Sequence, residues 1–220
     1  MTYVYGATLR GTQEFLEEEA LGNRSDVDRP QGERNCDIAM VGAKALFAGI
    51  EGTVPAAAQA MRWLKNVCKS VPKNTRMEWT TPIGFKAQHD YQKVKEVRVR
   101  ISSCGVNRVL VHDLLDECNP QRMQNAVAPN FIHSLDASHK ALTALAMEKL
   151  GHKFVGIHDS FGTHPCNVDD LHTVLRREFV EMYSRDVLGD FLWEVGGTGS
   201  VPKPGKLDIT KVLTSEFFFC

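Results

Sequence analysis

Asp159 is the residue on which chemistry would centre. It stands between two short apolar runs, Phe154-Val-Gly-Ile157 and Phe161-Gly-Thr-His164, with only His158 and Ser160 beside it. That pattern predicts a tight β-hairpin whose carboxylate is held rigidly at the tip and projects out of the sheet. A charge between apolar strands costs desolvation, which ligation of a hard cation such as Mg²⁺ through oxygen would offset. An Asp-Ser pair is equally an ordinary turn sequence, so the spacing alone serves either reading. Three further residues stand in motifs of their own. Tyr5 and Gly6 close Met1-Thr2-Tyr3-Val4-Tyr5-Gly6 at the opening of a helix, and His133 lies in Ala128-Pro129-Asn130-Phe131-Ile132-His133-Ser134, which opens another. By residue type alone, Tyr5 would be a core aromatic and His133 a satisfied helix histidine.

A second kind of chemistry lies in the charge distribution. Net charge is −1, but between Met61 and Leu110 eleven Lys/Arg stand against three Asp/Glu. A block of net +8 inside a −9 remainder reads as a surface facing a polyanion, or as a solvated face. Within it Val97-Arg-Val-Arg-Ile101 alternates strictly, Ser102-Ser-Cys-Gly105 turns the chain, and Arg108-Val-Leu-Val111 returns. The expectation is a β-hairpin at about 94–111 with Arg98 and Arg100 on one face.

The elements that must position these residues follow from period and punctuation. Residues 3–20 read as a helix ending near Gly22, residues 23–35 as a polar loop, and Ala39–Ile50 as an apolar helix. Thr53 is expected to cap the next helix, with Pro55 in its first turn and a stripe of Ala60, Leu64, Val67 and Val71. Strands at Met77–Thr81 and Phe85–Ala87 flank a Pro82-Ile-Gly84 turn. Helices are predicted at Pro120–Val127, Pro129–Leu150 and Val168–Tyr183. A Gly/Pro-rich loop at 196–205 precedes a short helix near Asp208–Leu213.

At 220 residues and 43% hydrophobic, 24% charged, the chain is globular, neither disordered nor fibrous, and long enough for one large domain or two small ones. It has no run of about 20 apolar residues, so no transmembrane helix and no membrane partner are expected. The first six residues lack a basic and an apolar region, so no signal peptide is expected. Cysteines 36, 68, 104, 118, 166 and 220 show no Cys-x-x-Cys spacing. Reduced thiols in a cytoplasmic protein are the expectation.

Taken together, Met1–Gly6, Ala128–Ser134 and His158-Asp-Ser-Phe-Gly-Thr163, in that order and closed by Glu216-Phe-Phe-Phe219, resemble the C-terminal part of the single-subunit DNA-directed RNA polymerases of the bacteriophage and mitochondrial type. Ala60-Met-Arg-Trp63-Leu-Lys65, Trp79-Thr-Thr-Pro-Ile-Gly-Phe85 and Val187-Leu-Gly-Asp-Phe191 extend the resemblance over essentially the whole chain. It implies an α+β fold, a helix-rich fragment of a right-hand polymerase. Residues 1–133 would be part of the fingers and carry the basic hairpin; residues 134–220 would be the C-terminal part of the palm, with a small antiparallel sheet and a C-terminal extension. It also implies nucleotidyl transfer by two Mg²⁺ ions. Asp159 matches one of two metal-holding aspartates, with His158 beside it. Tyr5 matches a tyrosine by the nascent base pair that favours ribonucleotides, and Gly6 a position where the helix approaches the template. His133 matches a histidine near the ribose 2′-OH. The hairpin falls where the family reads promoter DNA. Arg98 and Arg100 would read bases in the major groove, and Lys93, Lys95 and Arg108 would contact phosphate. The implied partners are promoter and template DNA, nascent RNA and ribonucleoside triphosphates, in the cytoplasm of a host cell.

The family places an Arg and a Lys that clasp the triphosphate just before the Met-Thr-x-x-Tyr-Gly match, and its other metal-binding aspartate further upstream. None of these is among the 220 residues. The expectation is therefore a C-terminal fragment, silent alone and dependent on an upstream polymerase polypeptide. A family A DNA polymerase fragment and a non-catalytic DNA-binding remnant are the alternatives; Ser160, where the DNA enzymes usually have Glu, speaks against the first.

Overall fold

The computed structural model describes residues 6–21, 34–101 and 107–218. Helix α1 (Leu9–Phe15) starts at Thr8, whose hydroxyl accepts from the Gly11 N–H at 3.1 Å. It widens into a π-helical turn over Leu16–Leu21. The expected helix over 3–20 thus begins later, and Tyr5 lies outside the described residues. Helix α2 (Asn35–Thr53) meets α3 (Pro55–Ser70) at 107°. Thr53 does not cap α3: its hydroxyl donates back to Gly49 O at 2.8 Å, closing α2. The break falls at Val54, with φ −125° and ψ 62°, and Pro55 takes the first turn of α3, where its missing N–H costs nothing. Ala58, Met61, Leu64, Val67 and Val71 are buried, so the stripe starts at Ala58 and Ala60 sits on its margin. No single helix among the described residues is long and apolar enough to cross a membrane.

The strands form three separate two-stranded ladders. β1 (Met77–Thr80) and β2 (Lys86–His89) pair across a turn that needs Gly84 at φ +87° and closes with Gly84 N–H on Thr81 O at 2.7 Å. β3 (Gln92–Ile101) and β4 (Asn107–Cys118) make a longer ribbon than the predicted 94–111, with a bulge between Gln92 and Val94. The expected turn at 102–105 lies outside the described residues. β5 (Val155–Ile157) and β6 (Ser160–Gly162) form the short hairpin.

Pro120–Val127 and Pro129–Leu150, expected as two helices, are one: α4 runs unbroken from Pro120 to Lys149 with Pro129 inside it. A proline within a helix costs about 3 kcal/mol. Val127 and Phe131 beside it are 0% and 4% exposed, and burying two such side chains returns roughly 3–6 kcal/mol, so burial prevails. A boundary at 133/134 therefore falls inside a continuous helix. α5 (Val168–Tyr183), α6 (Val187–Glu194) and a final 3₁₀ helix (Ile209–Thr214) complete the chain.

Two clusters hold these elements. In the larger, Trp79 of β1 and Phe131 of α4 pack on Phe191 of α6, with ring centroids 5.5 and 4.7 Å from it. The Trp79 indole N–H donates to Ser134 Oγ at 3.1 Å, and the Thr80 N–H donates to the Glu194 carboxylate. In the smaller, Met147 of α4 meets Leu171, Val174 and Leu175 of α5, joined by Phe154, Phe161 and Phe218. Phe218 lies 5.1 Å from Phe179, and the Arg176 guanidinium sits over its ring, so the C-terminal extension folds back onto α5.

Two histidines are interior ties. His89 Nε2 donates to Met123 O and His139 Nε2 to Leu175 O, each at 2.9 Å. Burial pushes both imidazoles below their ordinary pKa, outweighing those backbone contacts and the carboxylates Asp90, Asp136 and Glu178, which act upward. A depressed histidine is stabilising above its unfolded pKa of about 6.5, and that stability is lost as pH falls, because the unfolded chain then binds protons the folded chain refuses. The denaturation midpoint should hold above pH 7 and drop from pH 6.5 to 5.5, by at most about 1.4 kcal/mol per pH unit for each histidine. The fall should be shallower in His139→Gln; urea titrations at each pH check this.

Candidate functional site

The hairpin that carries Asp159 is as tight as the sequence predicted. Ile157 pairs with Ser160, so only His158 and Asp159 turn the chain, and His158 takes φ +51°. Its root is anchored by aromatics: Phe161 stacks on Phe154 at 5.6 Å and meets the buried His139 ring at 6.2 Å. Gly162 packs closely there, since a Cβ would lie 3.0 Å from Val155 Cγ1. The tip differs from expectation. Asp159 and His158 are exposed, as are Val155 and Ile157, because nothing among the described residues lies over the outer face of the hairpin. The carboxylate is open to solvent in this chain.

Helix α4 brings the separate motifs to one side. Gly6, at φ +84°, abuts the Pro129 ring: a Cβ there would lie 3.3 Å from its Cγ and Cδ and 3.5 Å from Asn125 O, the carbonyl that Pro129 leaves without its helical N–H. His133 is one turn further along the same face, and it is exposed. Lys140 lies two turns beyond His133 on that face, and its Cδ is 3.1 Å from where a Cβ on Gly156 would sit. Gly156 is three residues from Asp159. Gly6, His133 and the Asp159 hairpin thus follow one another along a single face of α4. The sequence reading missed Lys140 and Gly156; the seven-residue spacing from His133 was the signal available for Lys140.

The ribbon presents its charges as the alternation predicted. Arg98 faces Leu110 across the ladder and Arg100 faces Arg108, placing these positions on one side, while Lys95 faces Asp113 on the other. Arg98 and Lys95 are exposed, and no carboxylate among the described residues pairs with either. Lys93 bonds Glu117 at 2.6 Å at the root. Val97, Val99, Leu110 and Val111 are also exposed, so neither face of the ribbon is covered.

As a metal ligand, Asp159 offers a hard oxygen donor that no ion pair or hydrogen bond among the described residues engages, the donor chemistry Mg²⁺ requires. No group of three His, Cys, Asp or Glu that could hold a metal occurs among those residues. Asp159 fits one arm of such a site.

A sequence model described as DNA-dependent RNA polymerase matches residues 1–200. All of this chain aligns with a DNA-directed RNA polymerase of Pseudomonas phage phiKMV, at 36% identity over 226 positions and 27% of that protein. It aligns equally with the chloroplastic/mitochondrial DNA-directed RNA polymerase 2 of Arabidopsis thaliana (35% identity, 22% of its length) and the chloroplastic DNA-directed RNA polymerase 3 of Nicotiana sylvestris (35%, 22%). The chain spans about a quarter of the length of these relatives.

If the aromatic root holds the hairpin, Phe161→Ala should free it locally. Amide hydrogen exchange over residues 155–162 should quicken by about tenfold or more, the loss of roughly 1.4 kcal/mol expected from a stacked pair and its burial. Protection along α4 should stay unchanged.

Proposed function

The chain belongs to the DNA-dependent RNA polymerase family, and from that premise we propose that its residues form part of the fingers and the C-terminal part of the palm of an enzyme that copies DNA into RNA. The observation that carries this reading is the arrangement of Gly6, His133 and the Asp159 hairpin along one face of α4. Residues from three motifs far apart in sequence line one face of a single helix there, an order that supports a shared site. Family membership also favours an RNA enzyme over a family A DNA polymerase.

In this reading Asp159, beside His158, would hold Mg²⁺ through a carboxylate oxygen. Two such ions, when bound, supply the charge that stabilises the attacking 3′-oxygen and the leaving pyrophosphate. The rest is the work of the chain. His133 hydrogen-bonds the ribose 2′-OH, which only a ribonucleotide carries. Tyr5 lies by the nascent base pair, and Gly6 lets the turn before α1 come close to the template strand. The ribbon enters the major groove, where Arg98 and Arg100 meet guanine edges and Lys93, Lys95 and Arg108 meet phosphate. One carboxylate does not complete a two-metal site. The remaining ligands, with the Arg and Lys that clasp the triphosphate, come from outside these 220 residues, and the chain alone is silent. Its substrates are ribonucleoside triphosphates, its partners promoter and template DNA and nascent RNA. For a phage-type enzyme the setting is the host cytoplasm.

Template-directed transcription by the purified chain should be undetectable and should appear when the upstream polypeptide is added; robust synthesis by the chain alone overturns the reading. In the complemented enzyme Asp159→Ala should slow synthesis by about a thousandfold or more, several kcal/mol of lost charge stabilisation, with DNA binding within about twofold. Unchanged turnover would remove Asp159 from the metal site. DNA binding that survives with no synthesis in any combination would favour a non-catalytic remnant. Arg98→Ala should relax base preference at one position by about 1–3 kcal/mol, whereas Lys95→Ala should weaken all sequences alike and lower the salt dependence.

A further inference from the structure

The ribbon stands on a root, and the root is a polar knot built around the buried His89 ring. The Asn130 side-chain amide of α4 donates to both His89 Nδ1 at 3.1 Å and Tyr91 Oη at 3.0 Å. His89, 0% exposed, donates its other ring nitrogen to Met123 O at 2.9 Å. The Tyr91 carbonyl accepts from the Asn119 N–H at 2.6 Å, and the Arg122 guanidinium lies over the Tyr91 ring at 5.6 Å. His89 ends β2 and Tyr91 directly precedes β3, while Asn119, Arg122, Met123 and Asn130 span the cap and first three turns of α4. The knot therefore joins the foot of the ribbon to the helix that carries His133.

Beyond the foot the ribbon has both faces exposed. Its ten-residue strand β3 is about 33 Å long, so a tilt of 5° at the root moves the far end by roughly 3 Å. That is the width of a base-pair step, so a guanine-reading arginine would miss its partner. A polar contact fixes one arrangement where each alternative strands a buried donor or acceptor, and the His89 ring, buried with both nitrogens bonded, is such a group.

We propose that Asn130, through His89 and Tyr91, is a positioning residue that sets the ribbon's angle on α4 and so holds the DNA-reading arginines in register with the nucleotide pocket. The inference rests on the proposed polymerase reading for its functional half and on the knot alone for its geometric half.

The test separates the two. In the chain complemented by its upstream polypeptide, Asn130→Leu removes both donated bonds and Tyr91→Phe removes one. Spin labels on non-natural side chains at positions 110 and 148 report the ribbon-to-α4 distance. The distribution should be narrow in the parent, broader in Tyr91→Phe and broadest in Asn130→Leu; an unchanged distribution overturns the proposal whatever the protein does. Initiation from promoter DNA should show KM raised about tenfold in Asn130→Leu and less in Tyr91→Phe. Extension of an RNA primer already annealed to template, which needs no promoter reading, should keep its kcat within about twofold. Equal losses in both assays would mean general structural damage and refute a positioning role. A broadened distance with no promoter preference in the parent would leave the knot's role standing and sink the DNA-reading assignment of the ribbon.

Discussion

Pro129 withdraws an N–H from the middle of a 30-residue helix, and the helix continues. Much of what the structure brings together depends on that outcome. Were α4 to break at the proline, Asn130, His133 and Lys140 would belong to a different rigid body from Asn119, Arg122 and Met123, and the contacts that tie the ribbon's foot to α4 would be split between the two pieces. The burial of Val127, Ala128 and Phe131 around the proline keeps the axis intact. The carbonyl that the proline leaves open, Asn125 O, lies where Gly6 comes closest. A local defect in the helix thus becomes the place against which Gly6 packs.

Two faces of the same helix do opposite work. Toward α5 the polar side chains are spent internally: Ser138 Oγ donates to Ser134 O at 2.7 Å, Thr143 Oγ1 to His139 O at 2.8 Å, and His139 reaches across to Leu175 O. These groups are buried and satisfied, so they are withheld from a ligand, and the His139 bond ties α4 to α5. The opposite face carries His133 in the open and Lys140 against the hairpin. His133 and His139 are six residues apart, about 240° around a helix, and helical period alone assigns them to different faces.

That distinction was available in the sequence, as were the ribbon, the β5–β6 hairpin and α5, each of which has an alternation or a bounded apolar run strong enough to decide its own structure. Less of α4 was legible. A proline in a helical pattern reads as a boundary, and only the burial of residues far away in sequence, such as Phe191 and Trp79 against Phe131, reverses it. Thr53 failed for a related reason: its hydroxyl serves equally as a cap or as an i−4 back-bond, and the 107° bend at Val54 chooses the second. The desolvated setting expected for Asp159 was inferred from apolar neighbours, yet apolar residues on a two-stranded hairpin are buried only if something lies above them. Periodicity says which side chains share a face and nothing about what covers it.

The uncovered faces bear on the chemistry. Two unit charges 4 Å apart interact by about 1 kcal/mol in bulk water and about 4 kcal/mol at the effective dielectric of a protein surface. Asp159 lies in the first regime, beside exposed Val155 and Ile157, and the ribbon arginines stand on strands whose valines also meet water. A carboxylate so placed holds a divalent ion weakly and leaves a developing negative charge to the solvent. Laying nucleic acid or a further protein layer over those same apolar side chains would move it to the second regime and bury hydrophobic surface in the same step. Apolar strands around an exposed acid are in that sense half of a catalytic environment: they contribute the low dielectric only once a partner is seated. In the proposed reading, what this chain supplies by itself is the order of Gly6, His133 and the Asp159 hairpin along α4.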